Sequence, residues 1–285
     1  MSDLRNNQQT KTATRGSFFR SNPVMNRLSK VSDIATSDKT VAYSGVLFKT
    51  AFLLLFTVAG IILNRVLNNI LFAGLEKSVH LDIKGFHVNI APMQLYVVAG
   101  VAILGIVTQL IAAFGPGTIP VTGTIYSVTQ GYFISFMVFT VLDGYEWIGM
   151  LALAITIAIV LVMAILYTTG AIRATKKFRT VMLTLFGTMI LISIVTFLGS
   201  LIPFTRPFVA SIMGNFWISL GIAALSIIIA SLFLISDFAM IQQVVENRMP
   251  KKYEWMAAFG LVFTVLWIYV KVLDILIQLI GNSKK

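Results

Sequence analysis

Long runs of apolar residues, each broken by a short polar or glycine- and proline-bearing stretch, dominate this chain from about residue 44 onward. About 20 mainly apolar residues are needed to cross the hydrocarbon core of a bilayer. Seven runs reach that length: 44–64, 92–114, 119–141, 147–168, 180–202, 212–240 and 254–280. They are too long and too continuous for alternating strands, and an open strand in lipid leaves its backbone groups unpaired, so each predicts a helix. Connectors such as "FGPGT" (114–118) and "LDGYEW" (142–147) are short enough to make the second, third and fourth helices tight antiparallel neighbours. No internal repeat emerges, so an inverted-repeat transporter is not expected.

Before the first run, residues 1–40 are polar and basic, and with little to bury they read as a disordered cytoplasmic tail ahead of a membrane domain at 41–285. This stretch has neither an apolar core nor a cleavage pattern, so no removable signal peptide is expected.

Composition sharpens the picture. Of 285 residues, 57% are hydrophobic and only 12% charged, against about 25% charged in a typical soluble domain. The absence of cysteine excludes disulfides, thiolate metal sites and cysteine nucleophiles. A net charge of +11 raises nucleic acid as a partner, but the basic residues gather at the ends of apolar runs, where they act as orientation signals. With the N-terminus inside, fifteen Lys and Arg lie on the inner side, six on the outer side, and Lys271 within a span. The positive-inside rule therefore predicts a cytoplasmic N-terminus and an external C-terminus in the plasma membrane, with lipid rather than nucleic acid as the surrounding partner.

Chemistry is sparse. Phosphate-loop, zinc-protease and serine-hydrolase patterns are all missing, so neither an enzyme nor a cofactor is expected. His80 and His87 flank Asp82 in the loop between the first two spans, and "HLDIKGFHVNI" reads as a plain surface loop rather than a metal site.

Charge inside the apolar runs is the main signal, because an ionised side chain at a helix centre costs about 2.5–3.5 kcal/mol and so pairs or faces a cavity. If the sixth helix runs on to Glu246, Asp237 lies nine residues from its end, about 13 Å by helical rise, where it is a candidate pH sensor. If the helix stops at Ser236, Asp237 sits at a wet interface instead. Lys271 and Asp274 are three apart on the seventh helix, neighbours able to neutralise one another. A symmetric hairpin about Met249–Pro250 sets residues near Leu261–Phe263 beside Asp237, and leaves Lys271 about 15 Å away in depth. Arg173 and Arg179, in the adjacent inner loop, join Lys271 and Asp274 as candidate charge partners of Asp237. Gln130–Gly131 in the third span fits either helix packing or the lining of a pathway. Arg206, between two prolines, fits a surface arginine at an outer loop.

The segments "SNPVMNRL", "LYTTGAIRATKKFR", "SDFAMIQQ" and "KKYEWMAAFGLVFTVLWIY", in this order around seven spans, resemble the Bax inhibitor-1/YccA-like membrane proteins, and among them a bacterial subgroup with a longer N-terminal tail. The resemblance implies an all-α bundle in which a central seventh helix is wrapped by the other six. It also implies a pH-sensitive calcium leak gated by two aspartates on the last two helices. Asp237 matches the first. The second is replaced: an ungapped alignment puts Phe263 there, and an alignment on "WIYVK" puts Lys271 there. A single carboxylate loses the like-charge coupling of a pair. That departure keeps open a second function, a non-transporting regulator that binds another membrane protein such as a quality-control protease.

Overall fold

The structure, a computed structural model, describes residues 40–283. The expected tail therefore lies outside the described residues, except for its last member: Thr40 is bridged to Pro250 in an antiparallel pair.

Among the described residues, seven helices are long and apolar enough to cross a membrane. In chain order the elements are α1 (Tyr43–Ile70), a hairpin of β1 (Val79–Ile83) and β2 (Phe86–Ile90), α2 (Pro92–Phe114) and α3 (Ile119–Phe136), then α4 (Trp147–Thr168), α5 (Lys176–Leu201), a short α6 (Arg206–Gly214), α7 (Phe216–Glu246) and α8 (Tyr253–Ser283). A 3-10 turn at Pro116–Thr118 leads into α3, and a π-helical turn at Met137–Val141 prolongs it. Local signals explain several boundaries. Proline occupies the first turn of α2, α3 and α6, where its missing N–H costs nothing. Asn215 Oδ1 accepts from the backbone N–H of Trp217 and Ile218 at the start of α7, and Thr175 caps α5 in the same way.

The expected spans survive with two corrections. The run at 212–240 is not one element: residues up to Gly214 belong to α6, and α7 begins at Phe216 and continues to Glu246. The central helix is wrapped less completely than expected. α8 packs directly on α1, α3, α4 and α7, whereas α2 joins the bundle chiefly through α3 and α5 through α7. Only Phe186 of α5 reaches inward to a ring of α8, lying 5.5 Å from Trp267. Met182 is the one buried residue of α5, so that helix presents almost its whole length to lipid.

The loop expected between the first two spans is instead an ordered β-hairpin. Val79, Leu81 and Ile83 alternate with polar residues, as do Phe86, Val88 and Ile90, and the turn residues Lys84 and Gly85 both have positive φ, 53° and 88°. Two consecutive left-handed residues form the tight turn that matches strand twist. The apolar face of β2 is buried against the bundle, while His80, Asp82, His87 and Asn89 share the outward face. There His80 Nδ1 lies 2.6 Å from Asn89 Oδ1 and His87 Nδ1 lies 3.6 Å from Asp82 Oδ2, and no metal-holding cluster occurs among the described residues.

Two glycines seat the hairpin on the end of α8. A Cβ at Gly281 would fall 1.9 Å from the Lys84 carbonyl oxygen, and one at Gly85 would fall 2.8 Å from that of Gly281. The Lys84 ammonium also pairs with Asp274 of α8, and Phe86 meets Tyr145 edge-on at 5.7 Å. Gly281→Val is expected to lift the turn from α8 while leaving the spans intact. Limited trypsin digestion would then cut at Lys84 in the variant well before the wild type; equal rates would sink the docking.

Candidate functional site

α7 does not stop at Ser236, so Asp237 belongs to the body of a span, nine residues before its end and 9% exposed. Its partner is Thr264 of α8, whose Oγ1 lies 2.6 Å from Asp237 Oδ2 and 3.1 Å from the Gly260 carbonyl oxygen one turn back. Gly260 leaves room for the carboxylate: a Cβ there would stand 3.6 Å from Asp237 Oδ1. The side chain that faces Asp237 from α8 is therefore Thr264 rather than Phe263 or Lys271, one residue beyond the positions to which a symmetric hairpin points.

This arrangement accommodates both protonation states without a change of rotamer. When Asp237 is ionised, the Thr264 hydroxyl donates to Oδ2. When Asp237 is protonated, the acid donates to Thr264 Oγ1, and the threonine proton turns to the Gly260 carbonyl. A hydroxyl is one donor with two acceptor lone pairs, so it serves either state.

The expected charge partners go elsewhere. Among the described residues, no basic group lies within 4.0 Å of Asp237. Arg173 folds back over its own loop, its Nη2 3.5 Å from where a Cβ on Gly170 would stand. Arg179 starts α5 with a buried Nε. Lys271 lies seven residues beyond Thr264, about 10 Å along the axis. The Lys271–Asp274 pair does not form either, because Asp274 is taken by Lys84 of the hairpin turn and by Gln278 Nε2 at 3.2 Å. Gln130 is half-buried and points at α2, its Nε2 3.6 Å from the Cβ position of Gly105; Gly131 beside it packs on the Thr57 backbone of α1.

Two of the segments that carried the resemblance meet in space. Tyr167 of α4 donates to Gln242 Oε1 of α7, and its ring lies 5.8 Å from Phe238. The motif residues around Asp237 thus hold α7 against α4 on one side while Asp237 and Thr264 join α7 to α8 on the other.

Sequence reasoning passed over two features. The first is Glu254, nearly fully buried at the start of α8, which pairs with Lys49 of α1 and accepts from the Ala42 N–H at 3.2 Å. The second is a polar seam between α1 and α3, at the hairpin end of the bundle. Asn68 Nδ2 donates to Asn64 Oδ1 at 3.2 Å, and Gln94 Nε2 of α2 donates to Asn68 Oδ1 at 3.1 Å. The Tyr132 hydroxyl is turned to Asn64, and the hydroxyls of Ser127 and Ser135 are buried without a hydrogen-bond partner among the described residues. Asn64 and Asn68, four apart and so on one face of α1 near its end, were the legible signal for this seam.

A family model described as Bax inhibitor 1 like matches residues 9–281. No curated protein matches the chain.

Proposed function

The chain belongs to the Bax inhibitor 1 like family, and from that premise we propose that this multi-pass membrane protein is a pH-sensitive cation leak with Asp237 as its single sensing carboxylate. Calcium is the ion that the resemblance implies. The observation that carries the proposal is a buried carboxylate inside a span, bonded to a neutral hydroxyl and lacking a basic partner among the described residues. An intramembrane acid without a structural counter-ion is poorly explained as scaffolding.

The bias of basic residues puts the N-terminus in the cytoplasm and Asp237 toward the cytoplasmic side of the plasma membrane. The buried hydroxyls of Ser127 and Ser135 and the Asn64 amide, between α1 and α3, are groups that a permeating ion or its water would bind. Calcium takes six to eight oxygen ligands. Asp237, Thr264 and the Gly260 carbonyl supply far fewer, so the ion passes partly hydrated and is not stored.

Flux of calcium into dye-loaded proteoliposomes at about pH 6 and about pH 8 tests this. Wild-type flux should differ between the two, and Asp237→Asn, which mimics the neutral acid at every pH, should show a single flux at both. No flux above empty liposomes would favour the second reading, a regulator that binds another membrane protein such as a quality-control protease. The observation on its side is that a neutral hydroxyl and no second acid faces Asp237, so the like-charge coupling of a carboxylate pair is missing.

A further inference from the structure

At the hairpin end of α5 the chain folds back on itself. Thr205 Oγ1 donates to the Gly199 carbonyl at 2.6 Å, and a Cβ at Gly199 would stand 3.0 Å from Val209, so α6 runs back alongside α5. Between the two helices lies an open cleft of about 410 Å³. Ser193, Thr196 and Ser200 line it from α5, Phe197 and Met213 form apolar wall, and Arg206 stands where the chain turns. Ser193 is seven residues before Ser200, so the cleft extends about 10 Å along the helix axis.

Two facts define its occupant. The first is charge. The sequence contains no acidic residue between Glu146 and Asp237, and no carboxylate among the described residues lies within 4.0 Å of Arg206. A guanidinium at the edge of hydrocarbon forms its best bonds, paired and charge-assisted, with carboxylate or phosphate, and the surrounding bilayer presents phosphate in every phospholipid headgroup. The second is the wall. Each hydroxyl donates to its own helix: Ser193 to Met189 O at 2.9 Å, Thr196 to Ile192 O at 2.9 Å and Ser200 to Phe197 O at 2.6 Å. With those protons committed, the cleft beyond Arg206 offers no free side-chain donor to a polar solute, but it suits the ester and acyl region of a lipid.

We propose that the α5–α6 cleft binds an anionic phospholipid, with Arg206 holding the phosphate and an acyl chain lying against Phe197 and Met213. The site is separate from Asp237 and does not depend on any flux through the bundle. It gives the least buried span of the molecule a specific lipid partner.

The full chain is placed in nanodiscs of phosphatidylcholine, with or without added phosphatidylglycerol, and its thermal midpoint is measured. Phosphatidylglycerol is expected to raise the wild-type midpoint by about 2–4 °C. Arg206→Gln should lose most of that gain, whereas Arg65→Gln, whose guanidinium instead lies over the Phe139 ring at 4.3 Å, should keep it. Ala210→Phe fills the cleft and leaves Arg206 in place, and it should lose the gain as well. The proposal is overturned if phosphatidylglycerol gives no gain, or an equal gain in Arg206→Gln, which would reflect only the diffuse attraction of a +11 chain. It is also overturned if Ala210→Phe keeps the gain. If inorganic phosphate in phosphatidylcholine discs reproduces an Arg206-dependent gain, the ligand is a soluble anion and the lipid assignment fails.

Discussion

Gly131→Leu is expected to leave no folded, monodisperse protein recoverable from the membrane, and Gly60→Leu to do the same. A Cβ on Gly131 would lie 1.9 Å from the Thr57 carbonyl oxygen of α1, and one on Gly60 would lie 2.1 Å from the Val128 carbonyl oxygen of α3. In both cases the obstacle is backbone, which cannot move aside as a flexible side chain can. The helices would have to separate along their whole crossing, and close approach of small residues is what holds helices together where water supplies no hydrophobic drive. Even Gly131→Ala should cost about 1–3 kcal/mol or more from overpacking. Size-exclusion profiles and thermal midpoints in mild detergent read the outcome. A wild-type midpoint for Gly131→Leu would show that α1 and α3 do not cross at this point.

Lys49→Met should cost about 3–5 kcal/mol, because it strands the Glu254 carboxylate in the interior without its cation. That carboxylate, 1% exposed, joins three parts of the chain: Lys49 on α1, the Ala42 N–H ahead of α1, and α8 itself. Beside it the Val41 N–H donates to the Met249 carbonyl at 2.9 Å, tying the same segment to the α7–α8 turn. A Cβ on Gly45 would stand 2.3 Å from Glu254 Oε1, so any larger residue there has to displace the carboxylate. Glu254→Gln should cost less. The amide keeps an acceptor for Ala42, and Lys49, 12% exposed and 5.4 Å from the Trp255 ring, retains a route to water and a π face. Combining Lys49→Met with Glu254→Gln removes both charges and should recover much of the loss. A double-mutant cycle on unfolding midpoints tests the coupling, and strict additivity would mean the pair contributes nothing jointly.

The features legible in the sequence were those governed by the solvent. A run such as 92–114 has to be a helix in lipid whatever its neighbours, because only an internal ladder satisfies its backbone, and α2 spans Pro92–Phe114. The hairpin was equally legible in principle. Strict alternation from Val79 to Ile90 around Lys84–Gly85 is a period-two pattern, which the reading of this segment as a plain surface loop passed over. Asp237 stood out for the same reason as the spans did, as the residue that violated the apolar pattern.

What the sequence by itself determined, then, is the number of spans, their approximate ends, the family and the presence of an intramembrane acid. Each follows from the transfer of one segment or one side chain between water and hydrocarbon, a property that needs no partner. Only the tertiary structure decided what touches what. Thr264 rather than Phe263 or Lys271 faces Asp237, Lys84 rather than Lys271 takes Asp274, and Glu254 finds Lys49 across more than 200 residues of chain. Pairings of this kind depend on rotation of helices about their axes and on their relative heights, to within one residue. Those are set by close contacts such as Gly131 on Thr57 and Gly281 on Lys84, where a single missing Cβ fixes the register and hydropathy is silent.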